Sequence, residues 1–172
     1  MAKERYTRTN QKMLFAGLAL EAWREHESTG AYNVLAQVQA DREAALFHLY
    51  GAVLGLCHEV AGYYRLSLLA GSSVEMYLDA ARKQIEPNPE LAELMEIAQE
   101  PSAWLAQLLT AYAQLFEPPR EERKTKVDPS TPLITAVMVE DESAPVSVDE
   151  METWRQSLKA LILRFREGLS EC

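Results

Sequence analysis

Cysteine is scarce in this chain, which has two, Cys57 and Cys172, among its 172 residues. Two cysteines are too few for a disulfide framework, and their separation fits no cysteine-based metal motif. Glycine is also scarce, at seven residues, and runs rich in valine and isoleucine are few. Alanine, leucine, glutamate and glutamine dominate, and these residues are good helix formers. The composition therefore predicts an all-α fold.

Positively charged residues are few: the chain has 17 lysines and arginines and 26 aspartates and glutamates, which gives a formal net charge of −9. An acidic surface repels the phosphates of nucleic acids unless a local basic patch overrides the average. Nucleic acid is therefore disfavoured as a partner.

Long apolar runs are also missing. The most apolar run, residues 44–57, is interrupted by His48 and followed by His58 and Glu59. It is too short to span a bilayer, which takes about 20 apolar residues. The first twelve residues are polar and basic and lack the apolar core of a secretory signal. We therefore predict no membrane partner and a cytoplasmic location.

Specific catalytic and metal-binding motifs are absent. Ferritin-like di-iron bundles carry Glu-x-x-His pairs, but the residues three positions before the histidines are Trp23, Ala45 and Gly55. His58-Glu59 is not followed by a second histidine at the spacing of zincins. No Ser-His-Asp arrangement and no phosphate-binding loop can be identified, so we predict no cofactor and no metal. A site completed from another helix stays open, with the candidates Glu21, Glu25 and His26.

The residues that are present predict one domain, which suits a chain of this length. We expect an antiparallel bundle of five or six helices around one long central helix. Residues 1–8 are predicted to form a loose N-terminal arm, 9–117 the helical core, 118–147 a proline-rich extended connector and 148–169 the C-terminal helix. The first helix of the core is predicted from one stripe and the residues beside it: Leu14, Leu18, Ala22 and His26, with Phe15, Ala19 and Trp23 alongside.

Local signals predict where several helices begin. Asn88-Pro89 is typical of an N-cap followed by proline at the first helical position. Capping boxes at residues 72–75 (SSVE) and 147–150 (SVDE) predict two further helix starts. Inside the connector, residues 133–139 (LITAVMV) are apolar and β-prone. No other segment is a suitable partner strand, so a docked extended arm is favoured, with a strand as the alternative.

The central helix is predicted to run from Asn33 to about Leu69, a stretch without proline. At about 100° per residue, one side of it is a narrow stripe of small residues: Ala40, Ala44, Gly51, Gly55 and Gly62. Each glycine inside a helix costs about 1 kcal/mol relative to alanine, so the stripe indicates a packing role. Three interpretations stay open: close packing of a helix of the same chain, a two-fold dimer contact, or a cavity for a small ligand beside the histidines.

Arg42 and His48 have five residues between them, which falls within the Arg-x4–6-His pattern of the HEPN helical ribonucleases. In that family the pair cuts RNA across a dimer interface. This chain departs from the family because Glu43 follows the arginine, and because Arg42 points about 120° away from His48 around the helix. The structural alternative is that Arg42 extends along the surface and that His48 and His58 are hydrogen-bonded at helix contacts.

Acidic residues recur at steps of three and four in a second stripe: Glu86, Glu90, Glu93, Glu96 and Glu100. The simpler interpretation is a solvated helix face, and the alternative is a docking surface for a basic segment of this chain or of a partner. A further acidic cluster, residues 140–142 (EDE), has opposite charges available on the last helix, where Arg155, Lys159 and Arg166 share a side. Such pairs would be weak if exposed.

Three stretches carry a resemblance to a known family: YTRTNQK near the start, REAALFHLYGAVLGLCHEVAGYYRL in the central helix and FEPPR before the connector. On these stretches the chain resembles a small family of uncharacterised bacterial proteins of this length and of unknown function. The resemblance covers the whole chain, and it implies no activity, cofactor or catalytic residue.

The sequence therefore favours a non-enzymatic interaction or scaffold protein that forms a homodimer or binds a protein partner. Two alternatives are a HEPN-like metal-independent ribonuclease and a protein that binds a small ligand in the core of the bundle. Both alternatives use the histidines of the central helix, and the candidate residues are Arg42, His48, His58 and Glu59.

Overall fold

Six α-helices account for most of the described chain in a computed structural model of the protein. The structure describes residues 2–30, 32–66, 73–83, 88–118 and 145–170, with side chains from Tyr6 onward. The helices are α1 (Ala2–Thr29), α2 (Val34–Tyr63), α3 (Val74–Arg82), α4 (Pro89–Gln99), α5 (Trp104–Gln114) and α6 (Val148–Ser170). These ranges contain no strand, and the predicted all-α fold is confirmed.

The helices α1 and α2 form a long antiparallel hairpin and make the most extensive contact between two elements. Near the start of α1, Lys12 meets His48 of α2, and near its end His26 meets Asp41. The buried residues of α2 begin at Ala45, which lies about a third of the way along this helix. The turn of the hairpin is therefore less covered than the rest, while the remainder of α2 lies in the core.

The N-terminal residues differ from the prediction. A loose arm over residues 1–8 is wrong from Ala2 onward, because α1 begins there. The Arg166 guanidinium group of α6 lies 4.6 Å from the centroid of the Tyr6 ring, and it donates a hydrogen bond to Asn10 Oδ1 at 2.9 Å. These contacts to a helix far along the chain support the first turns of α1, and nothing local in the polar sequence reveals them.

The apolar stripe noted in the sequence of α1 is only partly buried: Leu14 and Leu18 are 60% and 51% exposed, whereas Trp23 beside them is buried. The buried side is a different line, spaced at alternating steps of four and three: Thr9, Met13, Ala16, Leu20 and Trp23. Two lines on α1 are apolar enough to be buried. The buried line includes Thr9, which packs against Gly55 of α2.

The end of α2 comes earlier than predicted, at Tyr63 instead of about Leu69. Arg65 takes a left-handed conformation with φ of 54°, and the Leu66 N–H donates to the Ala61 carbonyl at 2.8 Å. This is the hydrogen-bond pattern of a Schellman motif, which usually has glycine at the left-handed position. Because arginine stands there, the sequence carries no stop signal. Residues 67–72 lie outside the described residues.

The predicted caps are found for two helices. The Asn88 side chain accepts a hydrogen bond from the Leu91 N–H at 3.0 Å. Ser147 and Glu150 form a reciprocal capping box, in which Ser147 Oγ accepts from the Glu150 N–H and Glu150 Oε2 accepts from the Ser147 N–H. At α3 the N-cap is Ser73, one residue later than predicted, while Ser72 lies outside the described residues.

The shorter helices pack against the core part of α2. Pro101 lies in the turn between α4 and α5, so it separates two helices instead of kinking one. The Tyr50 ring of α2 stacks on the Tyr112 ring of α5 with centroids 4.0 Å apart. Of the predicted connector, residues 119–144 lie outside the described residues, and these include the β-prone stretch 133–139.

Candidate functional site

The small-residue stripe of α2 packs against α1 at its two central glycines. A Cβ atom added to Gly55 would lie 2.6 Å from Thr9 Oγ1 and 3.3 Å from Thr9 Cα, and one added to Gly51 would lie 3.1 Å from the Lys12 side chain. At these positions α1 fills the groove, which leaves no room there for a second copy of the chain or for a ligand. The other members of the stripe are less enclosed: Ala44 and Gly62, which are half-buried, and Ala40, which is exposed.

Glu59 is held in a buried ion pair. The residue is 3% exposed, and its two carboxylate oxygens accept hydrogen bonds from Arg166 of α6 at 2.8 and 2.9 Å. Sequence reasoning named both residues but did not pair them, because 107 positions separate them and no spacing rule joins such distant residues. The carboxylate therefore connects α2 to α6, so it is engaged in structure and is not a free acid or base.

His48 lies between two helices in an aromatic and cationic setting. Its Nδ1 atom is 3.5 Å from Lys12 Nζ. Partial burial, and then the nearby charge of Lys12, lowers the pKa of His48 below its usual value of 6.5. Burial, and then Arg8, likewise lowers the pKa of Lys12. His48 is therefore mostly neutral at pH 7.

The other two histidines have separate settings. Burial lowers the pKa of His58, its Nε2 atom is buried without a hydrogen-bond partner among the described residues, and its ring meets the Tyr77 ring edge-on at 5.7 Å. His26 Nδ1 lies 2.5 Å from Asp41 Oδ2. Within the described ranges, no group of three or more His, Cys, Asp and Glu side chains is placed to hold a metal ion.

The Arg42 and His48 pair of the ribonuclease interpretation is not brought together. Both residues lie on α2, where six positions separate them by about 9 Å along the helix axis and about 120° around it. Arg42 is half-buried, and its Nε atom has no hydrogen-bond partner in the part of the chain that the structure describes. His48 instead faces Lys12 of α1. No geometry for acid–base cleavage is formed within one chain by these two residues.

The acidic stripe of α4 is partly paired within the chain. Glu93 forms an ion pair with Arg164 of α6, and Glu90 accepts a hydrogen bond from the Tyr64 hydroxyl group at 3.3 Å. Among the described residues, two members of the stripe are therefore already engaged within the chain. Of the rest of the stripe, Glu96 and Glu100 are exposed and Glu86 lies outside the described residues. The separate acidic cluster 140–142 also lies outside them.

Exposed apolar side chains surround His48 on the outer side of the hairpin. Phe47 is 51% exposed and Phe15 36% exposed, and both rings meet the imidazole edge-on with centroids 5.3 Å apart. Lys12 Nζ lies 4.3 Å from the centroid of the Phe47 ring, and Ala40 is exposed about two turns away on α2. We call this surface the hairpin face; it comprises Lys12, Phe15, Ala40, Phe47 and His48.

Comparison with known families shows which protein family the chain belongs to. The model of one family matches residues 1–172, which is the whole chain. The chain belongs to the family of unknown function DUF6586. Membership in DUF6586 confirms the predicted resemblance to an uncharacterised family over the full length. No curated protein and no solved structure is detectably similar to this DUF6586 chain.

The longest apolar helix of the DUF6586 chain is also its core helix. By length and hydropathy alone, α2 qualifies as a membrane-spanning helix, but 61% of its most apolar window is buried inside the protein. The same test is passed by core helices of globular proteins. The described surface of this DUF6586 chain carries the hairpin face, in which Phe15 and Phe47 flank His48.

Proposed function

We propose that the protein is a non-enzymatic interaction protein that pairs with a second copy of itself through the hairpin face. The observation that supports this most is the exposure of Phe47 and Phe15 around a neutral His48. Adjacent large apolar side chains at a surface are typical of interaction sites. Burying such a side chain contributes about 1.5–3 kcal/mol relative to leaving it exposed.

The dimensions of the hairpin suit a dimer. Its helices have 28 and 30 residues, which corresponds to a length of about 42–45 Å at 1.5 Å per residue. Two such hairpins packed side by side form a four-helix arrangement. A stable interface needs about 800 Å² from each partner, so the contact would extend beyond the five residues of the hairpin face along both helices.

Charge also favours a second copy as the occupant. Lys12 lies beside Gly51, three residues after His48 on α2, while Glu43 lies five residues before His48 and accepts a hydrogen bond from Gln39. A two-fold axis that lies in the plane of the interface, near the phenyl rings and perpendicular to the long direction of the hairpin, would bring Lys12 of one copy towards Glu43 of the other. An isologous interface repeats each such contact twice, so the pair of opposite charges supports self-association over binding to an unrelated surface.

Light scattering of three purified proteins at tens of micromolar tests this proposal. The wild type and Met76→Glu are expected to be dimers, and Phe47→Glu a monomer, because the interface loses the phenyl ring and would have to desolvate both the new carboxylate and the neighbouring Lys12. Met76 is the matched control, since it is 47% exposed on α3 and away from the hairpin face. A monomeric wild type, or a Phe47→Glu protein that remains dimeric, would contradict the proposal.

A further inference from the structure

A cavity of about 330 Å³ lies between the three short helices α3, α4 and α5. Its volume is at the lower end of the range of about 300–1,000 Å³ that is typical of small-ligand pockets. We call it the α3–α5 cavity, and none of its described lining residues belongs to the small-residue stripe or to the hairpin face. The lining has an apolar centre, to which all three helices contribute, and a polar part: Leu78, Met95, Ala98 and Leu109 in the centre, and Glu75, Asp79, Arg82 and Gln99 in the polar part.

One side of α3 supplies the charged groups of the cavity. Glu75, Asp79 and Arg82 follow one another at steps of four and three, so helical periodicity places them on the same side of the helix. The two anionic residues come first along the helix and the cationic residue comes last. Residues three or four positions apart on a helix have Cβ atoms about 5–6 Å from each other. The α3–α5 cavity therefore presents a carboxylate and a guanidinium group side by side.

Arg82 is the cation of the cavity that the chain itself does not compensate. Its side chain is exposed and has no ion-pair or hydrogen-bond partner among the described residues. Asp79, three positions before it, pairs with Lys83 at 2.7 Å instead. A guanidinium group offers five N–H donors in a fixed fork that matches the two oxygens of a carboxylate. Arg82 is therefore available to bind a carboxylate that comes from outside the chain.

The two carboxylates of the cavity have unused hydrogen-bonding capacity. Each can accept about four hydrogen bonds, and a single described partner engages each of them: the Tyr50 hydroxyl group for Glu75, at 2.8 Å, and Lys83 for Asp79. Burial raises the pKa of Tyr50 to about 12, so its hydroxyl group stays a donor. Like charges four positions apart on a helix repel each other, and a cation bound beside both would relieve that repulsion. The two carboxylates therefore favour a positively charged group on the ligand.

We propose that the α3–α5 cavity binds a free α-amino acid with an apolar side chain. The ligand carboxylate pairs with Arg82, its ammonium group pairs with Asp79 and Glu75, and its side chain packs on the apolar centre. In an α-amino acid both charged groups are attached to the same carbon atom, which suits protein charges on adjacent turns of one helix. A hydrated metal ion would leave the apolar centre uncovered, and a fatty acid would leave the two carboxylates without a cation.

Isothermal titration calorimetry of the full chain at neutral pH tests the class of ligand, with L-leucine, L-methionine and L-phenylalanine as probes. At least one probe is expected to bind with a dissociation constant of about 1 mM or lower. The analogues of that amino acid that lack the ammonium group or the carboxylate, such as isocaproate and isoamylamine for leucine, should bind at least about tenfold more weakly. No binding of any probe, or an analogue that binds as tightly as the amino acid, would overturn the proposal.

Two variants test where the amino acid binds. Arg82→Gln should weaken its binding by about tenfold, because a neutral amide replaces the charged fork, and the variant is expected to fold because Arg82 is exposed. Ala98→Leu should weaken binding as well, since the larger side chain would fill the apolar centre. Lys159→Gln removes an exposed cation from α6 and is the matched control, which should leave the affinity unchanged. If the Arg82→Gln and Lys159→Gln chains bound the amino acid equally well, the assignment of Arg82 to the ligand carboxylate would be wrong.

Discussion

At the scale of single residues, the ion pair between Glu59 and Arg166 connects the first, second and last helices. Glu59 is almost fully buried, and Arg166 also bonds Asn10 of α1. Removing one partner of a buried pair leaves the other charge uncompensated, which typically costs about 3–5 kcal/mol. We expect Glu59→Ala to lower the free energy of unfolding by about 3 kcal/mol, since Arg166 keeps some access to water.

Urea denaturation measures this change, and the chain offers a matched control. Arg164 and Glu93 also pair across helices, but both side chains are substantially exposed. Exposed pairs contribute about 0–1 kcal/mol, so Arg164→Ala should change the free energy of unfolding by less than about 1 kcal/mol. Equal losses for Glu59→Ala and Arg164→Ala would show that burial does not govern the strength of these pairs.

Gly55 is a position of close contact between α1 and α2. Alanine in a helix interior is favoured over glycine by about 1 kcal/mol, but its Cβ atom would lie 2.6 Å from Thr9 Oγ1. Overpacking of this kind costs about 1–3 kcal/mol, so Gly55→Ala should be destabilising overall. Gly168→Ala on α6 should stabilise by about 0.5 kcal/mol, since no atom lies within 4 Å of its added Cβ.

Thermal unfolding of these variants checks the prediction for Gly55. The Thr9→Ala/Gly55→Ala double variant should recover part of the loss, because the closest clashing atom and a buried hydroxyl group without a partner among the described residues are both removed. If Gly55→Ala stabilised the protein as Gly168→Ala is expected to do, the close approach of the two helices would be wrong.

Two histidines make the stability of the protein depend on pH. Burial lowers the pKa of both His48 and His58 in the folded chain, while unfolded histidine titrates near 6.5. The unfolded chain therefore binds more protons as the pH falls through about 6.5, and the free energy of unfolding decreases in that direction. Above about pH 7.5 this contribution is complete.

Urea titrations at pH 8.0 and 5.5 measure the effect. Both pH values lie above the range in which Glu150 and Glu152 titrate, because hydrogen bonds lower the pKa of both carboxyl groups. His58→Gln should reduce the difference in stability between the two pH values, and His48→Gln/His58→Gln should reduce it further. A wild-type protein that is equally stable at both values would contradict this assignment.

Sequence reasoning at the residue scale succeeded where the signal was local. The small-residue stripe followed from helical periodicity, and two of its glycines, Gly51 and Gly55, lie against α1. The Glu59–Arg166 pair could not be found in this way, because ion pairs between distant helices depend on how the helices are arranged in space. The same limit applies to the inward side of α1, where the line that contains Leu14 was as apolar as the line that is buried.

At the scale of elements, the helix starts at Asn88 and Ser147 were predictable because a capping side chain lies within three residues of the group it binds. The end of α2 was not predictable, because the helix ends at Arg65 and arginine rarely takes a positive φ. The left-handed conformation costs a residue with a side chain about 1–2 kcal/mol, a penalty that glycine does not incur. This helix end is therefore a place where the sequence is not optimal for its own fold.

We expect Arg65→Gly to raise the free energy of unfolding by about 0.5–1 kcal/mol, since glycine takes this conformation without strain but loses more freedom on folding. Arg82→Gly, in the last turn of α3, is the control and should destabilise by about 0.5–1 kcal/mol. Calorimetry of both variants distinguishes a backbone effect from the loss of an arginine, because the two substitutions are expected to act in opposite directions.

At the scale of the whole molecule, the fold encloses some of the features that sequence reasoning singled out and leaves others, such as His48, at the surface. Glu59 is paired and the central glycines are covered, while Phe47, Phe15, Leu14 and Leu163 remain at the surface. All-α architecture followed from composition and periodicity. The exposure of these apolar side chains did not, because it depends on which side of α1 the rest of the chain covers.

Sedimentation equilibrium of the unmodified chain, over about 1–100 µM at pH 8, is the most direct test of the proposed self-association. One chain has a mass of 19.4 kDa. We predict that the apparent mass rises with concentration towards twice that value, and that the rise is absent in Phe47→Glu. A mass that stays at 19.4 kDa across the whole range would contradict the proposed homodimer.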